Sequence, residues 1–252
     1  SSNIVATMIS SRALPPRLAM TITAVAEFCG PFIFGVAVAK TIGDEIVVTG
    51  AIDDSTLIVA LVAALVAAIF WNLFTWWKGI PSSSSHALIG SLVGAVIVYT
   101  SGLQDVMWTG VLTKVVIPLF TSPLLGMLIG FLAMKLIYKL FRKWSQNRVN
   151  KLFLKLQIPS SAFVAFSHGN NDAQKTMGII TLALVTGGVL DADSGVPFWV
   201  KLSCACIMSL GTSIGGWKIM KTMGGGVTKL QPASGFTAQV SSALVIEFMT
   251  HL

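Results

Sequence analysis

Between Ser55 and Trp77 the chain runs through apolar residues without a single charged side chain. An α-helix rises 1.5 Å per residue, so about 20 apolar residues cross the hydrocarbon core of a bilayer. Comparable runs recur along the chain at Leu18–Ala39, Leu112–Phe141, Phe198–Met220 and Phe236–Leu252. A shorter run covers Ala87–Tyr99, and another, divided by a polar motif, covers Ile158–Val189. The pattern predicts an all-α, polytopic integral membrane protein with roughly seven apolar segments.

The charge content supports this class. Charged residues make up 11% of the chain and hydrophobic residues 54%, whereas a soluble domain carries roughly 25% charged residues. The net charge of +7 comes from basic residues at the ends of apolar segments. This distribution follows the positive-inside rule rather than a nucleic-acid-binding surface. We therefore predict a multi-pass protein of the cell membrane whose partner is the lipid bilayer, with no nucleic-acid partner.

Two connections between apolar segments predict the orientation of the protein in the membrane, and one of them divides the chain into two parts. The most basic stretch, residues 142–157, is predicted to be a cytoplasmic loop, and the acidic connection Lys40–Asp54 an external one. The loop divides the chain into residues 1–141 and residues 158–252, each predicted to be a transmembrane repeat. The three cysteines, Cys29, Cys204 and Cys206, show no spacing pattern, which argues against a disulfide framework or a zinc site. No cofactor is predicted.

A concentrated polar motif, Ser167-His168-Gly169-Asn170-Asn171-Asp172-Ala173-Gln174-Lys175, lies between apolar stretches. Ionisable groups at membrane depth are costly and usually mark an ion or substrate pathway. Gly169 is expected to weaken the helix and free backbone groups for a ligand. The alternative is an exposed polar loop between two short helices.

A second motif, Gly79-Ile80-Pro81-Ser82-Ser83-Ser84-Ser85-His86, separates two apolar runs. Pro81 lacks a backbone donor and clashes with the preceding turn, so it interrupts a helix. We expect a re-entrant or broken-helix hairpin here. The alternative is an interfacial turn rich in serine.

Three acids, Glu27, Asp172 and Glu247, lie within apolar stretches. Ala24–Phe28 and Leu244–Phe248 share the pattern Val-x-Glu-Phe, and each follows hydroxyl residues and a proline turn. Such an internal repeat is how many secondary transporters are built, with binding sites where the repeats meet. The alternative for Glu27 and Glu247 is a structural carboxylate paired with a neighbouring helix.

Together these motifs resemble the inorganic phosphate transporter (PiT) family. Ser167–Lys175 is similar to its second-half signature, Gly79–His86 to its Gly-x-Pro-x-Ser-Thr-Thr-His hairpin, and Leu210–Lys218 to another family block. The resemblance implies a two-repeat secondary active transporter, and no enzyme, that moves inorganic phosphate coupled to sodium or protons. Sodium as coupling ion and a homodimer are left open.

The resemblance also assigns residues. It implies that phosphate is held by hydroxyl and amide donors and by a lysine: Ser83, Ser84, Ser85, Asn171, Gln174 and Lys175. The cation is expected at carboxylates and an amide: Asp172, Glu27, Glu247 and Asn3. Asn3 corresponds to the end of the family's first-half signature, and the second hairpin would follow Leu252, so a chain truncated at both ends is expected.

Two other functions compete with phosphate transport. A carrier of another oxyanion, such as sulfate, would need the same donors. A membrane-embedded hydrolase could use His168 and Asp172, four residues apart on one helix face, as an acid–base or metal pair. That enzyme would leave the repeated carboxylates unexplained.

Overall fold

The structure, a computed structural model, describes residues 1–33, 53–191, 194–226 and 230–250. Every secondary-structure element in these ranges is a helix, in agreement with the predicted all-α class. Most of the acidic connection Lys40–Asp54 lies outside the described residues. The helices are α1 Ser2–Ser10, α2 Pro16–Ile33, α3 Asp54–Lys78, α4 Ser84–Thr100, α5 Trp108–Val111, α6 Ile117–Phe141, α7 Gln146–Thr186, α8 Phe198–Ile214, α9 Trp217–Gly226 and α10 Pro232–Thr250.

The helices form two compact units that are interleaved along the chain. The first unit contains Ser1–Ile33, Leu119–Asn170 and Ala205–Leu252. The second unit contains Phe34–Pro118 and Asn171–Cys204. The division passes through the 41-residue helix α7, within the predicted polar motif. Each unit is therefore described by itself.

In the first unit, α1 packs against α2 and α9. Its core joins Val5 and Met8 of α1 to Ala19 of α2 and to Val164 and Ala165 of α7, all fully or almost fully buried. Alanines alternate with larger apolar side chains such as Met8 and Val164 in these contacts. In a bilayer, where lipid tails are as apolar as leucine, helices associate through such close van der Waals packing.

In the second unit, α3 packs along α4. Leu57, Leu61 and Ala64 of α3 meet Leu92 and Val96 of α4 in one buried cluster, which Ile179 of α7 completes. The side chains recur every three to four residues, so one stripe of each helix is buried. The opposite stripe of α3 leaves large apolar residues exposed.

Helices α3 and α6 are each long and apolar enough to cross a membrane, and α4 and α8 are shorter apolar helices. Exposed aromatic side chains along the two long helices, such as Phe70 on α3 and Phe131 on α6, match a lipid-facing surface. The predicted count of roughly seven apolar segments and the repeat architecture stay predictions.

The basic stretch at residues 142–157 differs from its predicted loop conformation. A turn covers residues 142–145, and α7 begins at Gln146. The reason is an apolar face at helical spacing, Val149, Leu152, Phe153 and Leu156, that a loop would leave unpacked. Phe153 is 2% exposed, and its ring centroid lies 5.3 Å from that of Phe236.

Two predicted spans are interrupted. The run Phe198–Met220 is split into α8 and α9 at Gly215, whose φ of 85° requires a left-handed backbone that glycine adopts without steric cost. The run Leu112–Phe141 begins with a π-helical turn at Leu112–Val116. The three consecutive glycines at residues 224–226 belong to α9.

Candidate functional site

The break after α3 is confirmed as an interruption between two helices. Gly79 ends α3 with a φ of 72°, and the N–H of Ile80 donates to the carbonyl of Thr75 at 2.9 Å. The hydroxyls of Thr75 and Ser82 lie 2.9 Å apart and close the turn. Helix α4 begins five residues after Gly79, at Ser84, so the serine motif forms the first turn of a new helix.

Ser83 is the N-cap of α4. Its Oγ accepts a hydrogen bond from the N–H of His86 at 3.3 Å, which satisfies a donor that the helix itself leaves unpaired. Ser83 thus has a structural role, and its own O–H remains a donor. The hydroxyls of the next two serines, Ser84 and Ser85, are directed towards Asp172 of α7.

Ser84 and Ser85 both contact Asp172, in the second unit. Ser84 Oγ donates to Asp172 Oδ2 at 3.2 Å, and Ser85 Oγ lies 3.4 Å from Asp172 Oδ1. The carboxylate therefore lies at the N-terminus of α4, where the helix dipole and free amide groups favour negative charge. This position favours an anion, and in this structure the carboxylate of Asp172 occupies it.

Lys175 completes this group, which we call the serine–aspartate site: Ser84, Ser85, Asn171, Asp172 and Lys175. Lys175 Nζ donates to Ser85 Oγ at 2.6 Å and to Asn171 Oδ1 at 2.7 Å, and it lies 3.5 Å from Asp172 Oδ1. The side chains of Asp172 and Lys175 are 25% and 18% exposed. The site is thus partly open and combines hydroxyl donors, an amide, a cation and a carboxylate.

The polar motif does not break its helix, which corrects the predicted weakening at Gly169. Helix α7 is continuous from Gln146 to Thr186. A Cβ on Gly169 would lie 2.5 Å from the carbonyl oxygen of Glu27, and one on Gly30 would lie 2.4 Å from that of Phe166. The two glycines let α2 and α7 cross backbone to backbone. Gly169 thus serves helix packing.

This crossing builds a second polar group in the first unit. Glu27 is completely buried; Thr212 Oγ1 donates to its Oε2 at 2.5 Å, and His168 Nδ1 lies 3.4 Å from its Oε1. We call Glu27, His168 and Thr212 the buried glutamate site. The sequence pointed to Glu27 but not to Thr212, which lies in the block Leu210–Lys218 and has no distinctive spacing relative to Glu27.

The other predicted site residues are Asn3 on α1, Gln174 on α7 and Glu247 on α10. Asn3 is exposed on α1 and its carbonyl accepts a hydrogen bond from Thr7. Gln174 is 2% exposed, and Glu247 is half-buried on α10. His168 contacts Glu27, whereas Asp172 contacts Ser84 and Ser85. The described part of the chain contains no cluster of three metal-ligating side chains.

Comparison with known proteins gives one family. The model of the phosphate transporter family matches residues 1–148 and 141–252. A "Probable low-affinity inorganic phosphate transporter" of Bacillus subtilis is 42% identical over 97% of this chain and 72% of its own length. A protein of the same name from Mycobacterium tuberculosis H37Rv is 45% identical over 99% of this chain. The chain spans 58% of that relative's length.

A solved structure described as the sodium-dependent phosphate transporter matches the whole chain, with a TM-score of 0.87 and 26% sequence identity. The match covers 80% of that structure's chain. The named relatives are transporters rather than enzymes, which rules out the membrane-embedded hydrolase. The resemblance found in the two motifs is confirmed over the full chain, and the protein is an integral membrane protein that belongs to the phosphate transporter family.

Proposed function

We propose that this chain carries inorganic phosphate across the cell membrane as part of a multi-pass secondary transporter coupled to sodium. One observation carries the proposal: two serine hydroxyls at the start of α4 converge with Lys175 on the carboxylate of Asp172. This arrangement offers an anion both hydroxyl donors and a neutralising cation.

The anion contacts follow from the chemistry of phosphate. A desolvated phosphate needs several donors, because each unpaired oxygen taken from water costs free energy. Ser84 and Ser85 supply hydroxyls, Lys175 supplies charge, and the start of α4 supplies its dipole. We propose that Ser83, Asn171 and Gln174 contribute a further hydroxyl and two amides when phosphate binds.

Coupling follows from the position of Asp172. Its carboxylate now accepts the two hydroxyls that phosphate would require, and two anions repel each other in a poorly hydrated site. A sodium ion on Asp172 would neutralise the carboxylate and release the hydroxyls for phosphate. Phosphate binding then requires the cation, which is the thermodynamic basis of coupled transport.

Sodium is our choice over the proton as the coupling ion. The solved structure most informative here is described as sodium-dependent, and a partly open carboxylate beside an amide oxygen offers the hard oxygen ligands that sodium prefers. A proton on Asp172 would also remove the charge. The two ions differ in what they leave at the site: a proton adds an O–H donor to Asp172, whereas sodium needs several oxygen ligands, which Asp172 and Asn171 Oδ1 can provide.

Three further residues are proposed as cation ligands: Asn3, Glu27 and Glu247. Glu27 lies beside His168 and is fully buried, so a proton shared with the imidazole is the cation that reaches it most readily. Asn3 and Glu247 offer an amide and a carboxylate on α1 and α10. The protein would then use three carboxylates: the partly open Asp172, the half-buried Glu247 and the buried Glu27.

The remaining assignments concern topology. We propose two repeats, residues 1–141 and 158–252, joined by the basic segment 142–157 on the cytoplasmic side. A cysteine placed at Gln146 should react with a membrane-impermeant reagent only in inside-out vesicles. Labelling from outside intact cells would reverse this orientation. A homodimer is the proposed assembly, to be checked by light scattering of the detergent-solubilised protein.

The decisive experiment is uptake of radioactive phosphate into proteoliposomes under sodium, potassium and proton gradients. We expect uptake under an inward sodium gradient and background levels under potassium. Uptake driven equally by a proton gradient without sodium would overturn sodium coupling but not phosphate transport. Sulfate is the rival substrate, and equal competition by sulfate would replace phosphate with a broader oxyanion class.

A further inference from the structure

The turn between α6 and α7, in the first unit, is strongly cationic. Residues 135–155 contain no acid and seven basic side chains: Lys135, Lys139, Arg142, Lys143, Arg148, Lys151 and Lys155. All seven are exposed. Within the ranges that the structure describes, none of them forms an ion pair. Their exposure makes these charges accessible from the surroundings, and we call this segment the basic corner.

Three of these cations are aligned. Lys135, Lys139 and Arg142 follow one another at i, i+4 and i+7, and so share one face of α6 and the turn that follows it. The same face continues towards the middle of α6 with Leu124, Leu128 and Phe131, which are 62%, 53% and 63% exposed. One helix face thus carries an apolar stripe that ends in a row of cations.

The position of Lys135 within α6 distinguishes this row of cations from basic residues in a loop. It precedes Arg142 by seven residues, about 10 Å along a helix at 1.5 Å per residue. The positive-inside rule accounts for basic loops and helix ends, but not for a lysine two turns within an exposed apolar helix. A lysine at this depth extends its amine towards the membrane surface along the helix.

Aromatic packing fixes the corner. Trp144 is 51% exposed, and its ring meets that of Phe141 edge-on at 5.1 Å. Phe141 in turn packs edge-on against the buried Phe153 at 5.5 Å. An exposed indole beside the end of a spanning helix is typical of the level of the lipid headgroups. The cations therefore lie beside a turn that is held by aromatic contacts and whose exposed indole suits the headgroup level.

We propose that the basic corner binds an anionic phospholipid. Its phosphate lies among Lys135, Lys139 and Arg142, and an acyl chain lies along the stripe Leu124–Leu128–Phe131. Free phosphate shares the headgroup chemistry, but it gains nothing from the apolar stripe or from a lysine placed at lipid depth. The same positions suit a molecule with an anionic head and an apolar tail.

The test uses the purified chain in uncharged detergent with phosphatidylglycerol or phosphatidylcholine added, and native mass spectrometry to count the retained lipids. The variant Lys135→Gln/Lys139→Gln/Arg142→Gln removes the aligned cations. The matched control, Arg17→Gln/Lys78→Gln/Lys201→Gln, removes the same charge elsewhere. We expect the wild type and the control to prefer phosphatidylglycerol, and the first variant to lose that preference on the order of 100-fold, since each basic residue contributes roughly fivefold.

Three outcomes would overturn the proposal. Equal retention of both lipids by the wild type would show that no anionic headgroup is selected, and this outcome needs no variant to be folded. An equal loss of the phosphatidylglycerol preference in the control variant would show that the preference depends only on the net charge of the protein. Displacement of phosphatidylglycerol by inorganic phosphate would identify a site for a soluble anion. Circular dichroism of both variants checks that their helices are retained.

Discussion

The serine–aspartate site and the buried glutamate site each centre on one carboxylate, and α7 contributes to both. Asp172 is 25% exposed and is held by two hydroxyls and an ion pair with Lys175. Glu27 has no exposure and is held by Thr212 and His168. A carboxylate that solvent reaches can exchange its partners for a hydrated ion, whereas a buried one exchanges them only for a cation that reaches the protein interior, such as a proton. Accessibility, rather than residue type, separates the two.

The largest effect is expected at the accessible carboxylate. Asp172→Asn keeps the shape but removes the charge that would bind sodium, so sodium-dependent phosphate uptake should be abolished. The control Asp191→Asn removes an exposed acid of the same unit and should transport normally. If Asp172 were only a partner of Lys175, the double variant Asp172→Asn/Lys175→Gln would restore uptake with unchanged sodium dependence.

Removing the hydroxyl donors should give the next largest effect. Ser84→Ala and Ser85→Ala each delete a donor to a desolvated anion, at a cost of about 1–3 kcal/mol in phosphate binding. The apparent KM for phosphate should rise by roughly 5- to 150-fold for each change. Ser82→Ala, whose hydroxyl contacts Thr75, is the matched control. Unchanged KM in both site variants would leave these serines with a turn-forming role.

The buried site should respond in stability rather than in substrate affinity. Gly169→Ala inserts a Cβ between the backbones of α2 and α7, where the carbonyl of Glu27 leaves no room. Overpacking of this kind costs about 1–3 kcal/mol, measurable by unfolding in SDS. Gly126→Ala on α6, where the added Cβ meets nothing within 4 Å, should be neutral or slightly stabilising. Equal stability of the two variants would contradict the close crossing.

A smaller effect should measure the contact between Glu27 and His168. In a double-mutant cycle of Glu27→Gln and His168→Gln, residues that share a contact show coupling of about 0.5–3 kcal/mol. We expect coupling near the lower end, on the order of 1 kcal/mol, because Thr212 still donates to position 27. Additive effects of the two changes on unfolding would mean that the imidazole does not hold the carboxylate.

The smallest effect concerns a carboxylate that serves only as a helix cap. Hydrogen bonds from Ser55 Oγ and from the N–H of Thr56 lower the pKa of Asp53, at the start of α3, from 3.8 to about 2. Its contribution to stability is therefore complete above pH 3.8 and is lost as the pH falls through about 2. In a plot of melting temperature against pH, Asp53→Asn should remove the decrease between pH 3.8 and about pH 2. The neighbouring change Asp54→Asn is the control and should leave that decrease in place. A profile that Asp53→Asn leaves unchanged would remove Asp53 from the capping role.

Much of this protein could be predicted from residue order because local rules decide it. Ser55–Trp77 had to form a spanning helix, since a bilayer leaves no other partner for backbone groups. Pro81 had to interrupt a helix, and the serines after it had to begin the next one. The motifs Gly79–His86 and Ser167–Lys175 were sufficient to indicate the family that the comparisons confirm.

Predictions failed where packing overrides local preference. Gly169 disfavours a helix by its own propensity, yet α7 continues through it because Glu27 of α2 packs directly against it. Residues 146–157 are rich in basic side chains, as loops often are. They are nevertheless helical, because the helix lets Phe153 pack against the aromatic rings of Phe141 and Phe236. In both cases the deciding partner lies more than ten residues away or in another helix.

The sequence by itself determined the membrane class, the helix break at Gly79–Ser83 and the residues from which a phosphate site is proposed. Only the tertiary structure decided how these residues are grouped. His168 and Asp172 are four residues apart, but one contacts Glu27 and the other contacts Ser84 and Ser85. Periodicity places side chains on a helix face, but it does not specify which helix lies against that face. That choice depends on the close packing of segments far apart in the chain.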